Sequence, residues 1–134
     1  MARRYASAAE AAERYVELLS KLTSAGALDY SDTRVSGGQY YTEPEGLDEL
    51  MALEYAIGET IQGRYTKAQV WRDMLFLKMS SREAASAHNQ RVSACGGRRI
   101  CKDVALRWAA ELSGRFEGKL SQNGYPTSNR SADV

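Results

Sequence analysis

TKAQVWRDMLFLKMSSREAASAHNQRVSACGGRRICKDVALRWAAELSGRF, residues 66–116, outlines an apolar helix, a capped helix, a broken basic loop and an amphipathic helix. Its first part, 67–78, places Ala68, Trp71, Met74, Leu75 and Lys78 at helical spacing, with Val70 and Leu77 widening the apolar face. Ser80-Ser81-Arg82-Glu83 then fits a capping box. The Ser80 hydroxyl can accept from the N–H of Glu83 while the Glu83 carboxylate returns to the N–H of Ser80. A second helix is therefore expected from Ser81. Ala84, Ala85 and Ala87 give it a small-residue surface that another helix can approach closely, and Asn89 is a natural left-handed stop. Two helices joined so tightly cross steeply, which is the outline of a helix-turn-helix unit.

The next part is less regular. Helix-turn-helix sequences usually place Gly, an apolar residue and Ser or Thr soon after the Ala pair. Here His88-Asn89-Gln90-Arg91-Val92-Ser93 brings the Val-Ser pair late, and Cys95-Gly96-Gly97 breaks any helix that Ser93 starts. The recognition helix is thus expected to be displaced or shortened. Ile100, Cys101, Val104, Ala105, Trp108, Ala109 and Leu112 then form one apolar stripe, the mark of a closing helix. Arg98, Arg99 and Lys102 crowd its start, where cations oppose the helix dipole at a cost of a few tenths of a kcal/mol. A docked anion offsets that cost, and phosphate is the obvious candidate. On this reading Arg98, Arg99 and Lys102 contact phosphates or base edges, Arg91 and Ser93 act at the loop, and Arg82 and Arg107 flank them. The alternative is a solvated helix end.

At 134 residues the chain suits one helical domain over 1–120, large enough for a core. The polar, breaker-rich 121–134 tail is expected to be disordered. A net charge of +1 excludes wholesale electrostatic coating of nucleic acid. The charge is nonetheless uneven. Arg91, Arg98, Arg99, Lys102, Arg107, Arg115 and Lys119 face only Asp103, Glu111 and Glu117, whereas 43–59 is acidic, with Glu43, Glu45, Asp48, Glu49, Glu54 and Glu59. That asymmetry suits a chain touching nucleic acid on one side and protein on the other, or one whose halves pack by charge. There is no signal-peptide pattern and no run long enough for a membrane span, so a cytoplasmic chain with no membrane partner is expected. Cys95 and Cys101 are then reduced thiols.

Ser7-x-x-Glu10 resembles another box, and Ala8, Ala11, Ala12, Tyr15, Leu18, Leu19 and Leu22 follow at helical intervals before Gly26. Glu10–Arg14 and Glu17–Lys21 are four apart in the favourable order. A core helix is the expectation. In 29–46, Gly37-Gly38 and Pro44 punctuate a run carrying Tyr30, Arg34, Tyr40 and Tyr41, a hydrogen-bonding surface suited to a protein partner. Residues 33–41 can pair as a short hairpin, or the run can be a linker tucked against helices. Residues 47–62 form the next helix, with Leu47, Leu50, Met51, Leu53, Ile57 and Ile61 packing. The expected fold is all-α, with four or five helices and a C-terminal helix-turn-helix.

Catalysis requires a nucleophile, base or metal constellation. The chain has one histidine, no Gly-rich phosphate loop of defined spacing and no paired-carboxylate motif. His88, Cys95 and Cys101 supply three soft ligands where structural zinc wants four. His88 sits where such motifs hold a core leucine, so a structural role is expected. No enzyme activity, metal or cofactor is expected.

The run 66–87, with Trp71-Arg72-Asp73-Met74-Leu75-Phe76-Leu77-Lys78-Met79-Ser80-Ser81-Arg82-Glu83-Ala84-Ala85, resembles the start of sigma-factor region 4. It is also similar to small phage late-gene transcription regulators of the antiterminator Q and RinA kinds, whose layout would cover 28–116. That resemblance implies binding to promoter-proximal double-stranded DNA and to RNA polymerase, with activation or antitermination as the outcome. The rival expectation is a small protein-interaction module, an inhibitor or adaptor, with Tyr30, Arg34, Tyr40 and Tyr41 as its contact surface.

Overall fold

The computed structural model describes residues 5–24 and 45–127, and these are all-helical. The described helices are α1 (Ala8–Ser24), α2 (Leu47–Ile61), α3 (Tyr65–Leu75), α4 (Ser81–Ser93) and α5 (Lys102–Gln122). The hairpin expected at 33–41 and the surface of Tyr30, Arg34, Tyr40 and Tyr41 lie outside the described residues.

The last helix is the spine: α5, about 31 Å long at 1.5 Å per residue, packs against each of the other four. Its C-terminal half buries Leu112, Phe116 and Leu120 in the main core, with Leu18 and Leu22 of α1, Leu50 and Leu53 of α2, and Trp71 of α3. Trp71 meets Phe76 and Phe116 edge-on, with centroids 5.4 and 5.5 Å apart, and its indole N–H donates to Ser113 Oγ at 3.1 Å. The buried polar tip is thereby satisfied. A smaller cluster of Val70, Ala84, Ala85 and Ala105 lies against the N-terminal half of α5, closed by Met74, Met79, Ile100 and Trp108.

Helix α1 starts on two oxygens. Ser7 Oγ accepts from the N–H of Glu10 at 3.3 Å, and the Glu117 carboxylate of α5 accepts from the N–H of Ala8 at 3.0 Å, where the dipole favours negative charge. Arg14 does not keep the expected partner Glu10. It reaches Glu17 at 2.8 Å and Glu49 of α2 at 3.0 Å, and the hydrogen bond to Glu49 raises the Arg14 pKa above its usual value. Tyr5 donates to the same Glu49. At the start of α2, Gly46 is left-handed at φ 91°, and a Cβ there would lie 2.8 Å from Leu18 Cδ2. Only glycine fits.

Three expectations need correction. The helix expected over 67–78 ends at Leu75: Lys78 is left-handed at φ 61°, and the Met79 N–H returns to Asp73 O at 2.9 Å. Leu77 therefore leaves the apolar face and is 63% exposed. Met51, expected to pack, is 57% exposed, because Leu50, Leu53 and Ala56 take the buried side of α2. The tail expected to be disordered from 121 is ordered to Thr127. Gly124 at φ 86° ends α5, with Tyr125 N–H bonded to Leu120 O and Gly124 N–H to Ser121 O, a Schellman closure. Tyr125 stacks on Tyr5, and Tyr5 N–H donates to Pro126 O at 3.1 Å. Residues 128–134 lie outside the described residues.

Trp71 and Leu77 share an apolar pattern in sequence but not an environment in the fold. Urea denaturation should show Trp71→Ala losing about 3–5 kcal/mol, while Leu77→Ala stays within about 0.5 kcal/mol of the parent.

Candidate nucleic-acid interface

Helix α4 begins on the capping box that the sequence indicates. Ser80 Oγ accepts from Glu83 N–H at 3.1 Å, and Glu83 Oε1 accepts from Ser80 N–H at 2.9 Å. The backbone bond from Ser80, and secondarily its side chain, hold the Glu83 carboxyl below the usual glutamate range. Ala84, Ala85 and His88 are the buried face. The small size of Ala84 and Ala85 lets α4 lie close to α3 and α5, as expected.

The helix does not stop at Asn89. It continues to Ser93, and the left-handed residue is Gly96 at φ 74°, with Gly97 N–H closing on Val92 O at 2.9 Å. A Cβ on Gly97 would lie 2.8 Å from Val92 Cβ, so the Gly96-Gly97 pair ends α4 and does not interrupt a displaced helix. Asn89 has a different task. Its amide donates to Ile100 O at 3.0 Å and accepts from Ile100 N–H at 2.8 Å, matching both polar groups of one peptide residue. His88 Nε2 donates to Arg98 O at 3.0 Å, which places the ring proton on that nitrogen, and the ring meets Trp108 edge-on at 5.5 Å. Histidine 88 is thus a buried, partnered residue. Together these two side chains pin the loop backbone on either side of Arg99.

That loop and α4 enclose an open depression of about 430 Å³. Its cations are Arg82, Arg99 and Lys102; its neutral hydrogen-bonding groups are Ser86, Asn89, Gln90 and Ser93. Arg82, Ser86, Gln90 and Ser93 recur at intervals of three and four, so they form one stripe along α4. Arg82, Arg99 and Lys102 have no ion pair among the described residues. Cys101 precedes α5 without a side-chain cap, leaving the first N–H groups of that helix for solvent or a ligand.

Four residues expected at a nucleic-acid surface, Arg82, Ser93, Arg99 and Lys102, thus come together. The other three do not line the depression. Arg98 is exposed beside it and contributes its carbonyl to His88, and Arg107 is exposed further along α5. Arg91 turns to the opposite flank of α4 and pairs with Asp73 of α3 at 3.1 Å. Sequence reasoning missed Ser86 and Gln90. Their spacing from Arg82 is visible in the chain, but it becomes a stripe only when α4 extends past Asn89.

Cys95 and Cys101, at the two ends of the loop, are exposed free thiols. No described helix is long and apolar enough to cross a membrane. Neither the family models nor the curated proteins nor the solved structures contain a match to this chain. The functional reading therefore rests on the geometry.

Two local outcomes are expected. Asn89→Ala should lower stability by about 1–3 kcal/mol in urea, since it leaves two partly buried peptide groups unmet, and should speed amide exchange at Ile100. The Glu83 contribution to α4 should be fully present above the ordinary glutamate range and fade as pH falls through its lower folded value. Amide exchange in the first turn of α4 should accelerate there, and Glu83→Gln should remove that pH dependence.

Proposed function

We propose that this protein binds double-stranded DNA through α4 and the start of α5, and that it regulates transcription. The observation that supports it is the depression in which Arg82, Arg99 and Lys102 surround a neutral polar stripe without an acidic partner among the described residues. Three like charges gathered without compensation repel one another, and a polyanion relieves that repulsion while releasing its own counterions. Ser, Gln and Arg at successive turns of one helix are the side chains that pair with base edges, and an α-helix fits the major groove. In this reading α3 and α4 act as the helix-turn-helix, α4 supplies the base contacts, and Arg99 and Lys102 hold phosphates. The chain is a binding protein, not a catalyst.

The resemblance of 66–87 to sigma region 4 and to phage late-gene regulators extends the proposal to action beside RNA polymerase, as activator or antiterminator. A protein partner is also favoured by α2. Met51 and Tyr55, 57% and 59% exposed, stand one turn apart on its outer face beside Glu54. If DNA is not bound, that face belongs to the alternative reading, a protein-interaction module.

Fluorescence anisotropy with a labelled duplex at about 50 and 200 mM salt tests the proposal. Affinity should fall steeply with salt, and Arg99→Ala/Lys102→Ala should flatten the logarithmic slope by about 1.8, about 0.9 for each phosphate released. Gln90→Ala should leave the slope unchanged and relax sequence preference by about 1–3 kcal/mol. Absence of binding at the lower salt would refute it.

A further inference from the structure

The opposite flank of α4 carries a second cationic recess. Gln69, Arg72 and Asp73 of α3 and Arg91 of α4 line a pocket of about 210 Å³. Asp73 is nearly buried and meets Arg91 Nη1 through Oδ2 at 3.1 Å. That contact uses one edge of the guanidinium. Nε and Nη2, the edge with which arginine grips oxyanions in a bidentate fork, are buried without any hydrogen-bond partner. Unmet buried donors are rare because each forfeits the hydrogen bonds it would make to water. Arg72 stands exposed on the pocket wall with no ion pair among the described residues, and the amide of Gln69 lies one turn before Asp73. Asp73 balances one of the two arginines. The recess is left with one uncompensated positive charge, and Arg91 with a two-donor edge that lacks an acceptor.

We propose that this pocket is a second phosphate site, in which one phosphate group lies between Arg72 and the free Nε/Nη2 edge of Arg91. Asp73 orients the Arg91 guanidinium by holding Nη1. On this proposal the Arg91 side chain, 36% exposed, turns about its Asp73 contact to meet the phosphate with its free edge. Gln69 adds a neutral donor. A phosphate suits the recess better than a carboxylate, because its tetrahedral oxygens can meet two arginines approaching from different helices. The site lies on the flank of α4 away from Arg99 and Lys102, and it does not depend on the DNA reading. Its phosphate can come from a nucleic-acid backbone or from a free phosphate.

Arginine Nε–H resonances of the ¹⁵N-labelled full chain test this directly. Arg91→Lys identifies the Arg91 signal by its disappearance. Inorganic phosphate is titrated against sodium chloride at matched ionic strength. A saturable shift of the Arg91 Nε–H at roughly millimolar phosphate is expected, with no response to chloride. Arg72→Ala should weaken the phosphate affinity about tenfold, the loss of one charge-assisted contact, whereas Arg99→Ala/Lys102→Ala should leave it unchanged.

A duplex arm separates the sources. If DNA moves the same resonance and Arg72→Ala lowers the salt slope of DNA binding by about 0.9, the phosphate belongs to the backbone. If free phosphate saturates the site while DNA leaves it unmoved, the ligand is a free phosphate, and the site stands even where the DNA reading falls. A shift that grows linearly with both salts, or a saturable one that Arg72→Ala does not alter, overturns the proposal.

Discussion

The contact of Trp71 with Phe116 ties the shortest described helix to the longest, and most of the remaining structure is arranged around it. It joins α3 to the C-terminal half of α5, and from there α5 extends in both directions as a common wall. One end supports the main core with α1 and α2. The other supports only a small cluster built largely of alanines, on which α4 rests. Burying apolar area scales with side-chain size, so α4 is held by much less hydrophobic energy than α1 or α2. Its position depends correspondingly more on polar contacts: the Ser80–Glu83 box at its start, the Arg91–Asp73 pair on one flank, and the His88 and Asn89 bonds to the loop.

Those polar contacts explain how cations come to share a surface. Asn89 satisfies both polar groups of Ile100, and His88 satisfies the carbonyl of Arg98, so the intervening Arg99 is carried on a backbone fixed at two points. Lys102 follows on the first turn of α5. A loop so restrained loses little further entropy when a ligand arrives, which favours binding without new ordering. Both recesses beside α4 follow the same pattern. The first gathers Arg82, Arg99 and Lys102 from α4, the loop and α5, the second Arg72 and Arg91 from α3 and α4, and in each the protein's own acids leave positive charge uncompensated.

Much of this is legible in the amino-acid sequence. The all-α class, the capping box at Ser80, the small-residue face of Ala84 and Ala85, and the buried role of His88 follow from residue identity and spacing. Helix ends are harder to read. Asn89 reads as the stop, yet α4 runs on to Ser93 and closes at Gly96, because Asn89 is occupied by Ile100, a partner supplied by the loop beyond α4. The same difficulty hides the stripe of Arg82, Ser86, Gln90 and Ser93. Residues 121–127 read as a polar tail because nothing local reveals that Tyr125 and Thr127 will meet Tyr5 at the other end of the domain.

Residue order thus carries what depends on neighbours within one or two turns: where helices start, which face of each is apolar, and which cations stand at the start of the closing helix. The packing of the helices is what carries α4 past Asn89, turns Leu77 and Met51 outward, draws Arg91 to Asp73, and brings Arg82, Arg99 and Lys102 to one depression. The physical reason is range. Capping and periodicity act over about 5 Å along the chain. The partners of Asn89, Arg91 and Tyr125 arrive from other elements, and only the packing of all the helices on α5 brings them within hydrogen-bonding or stacking distance.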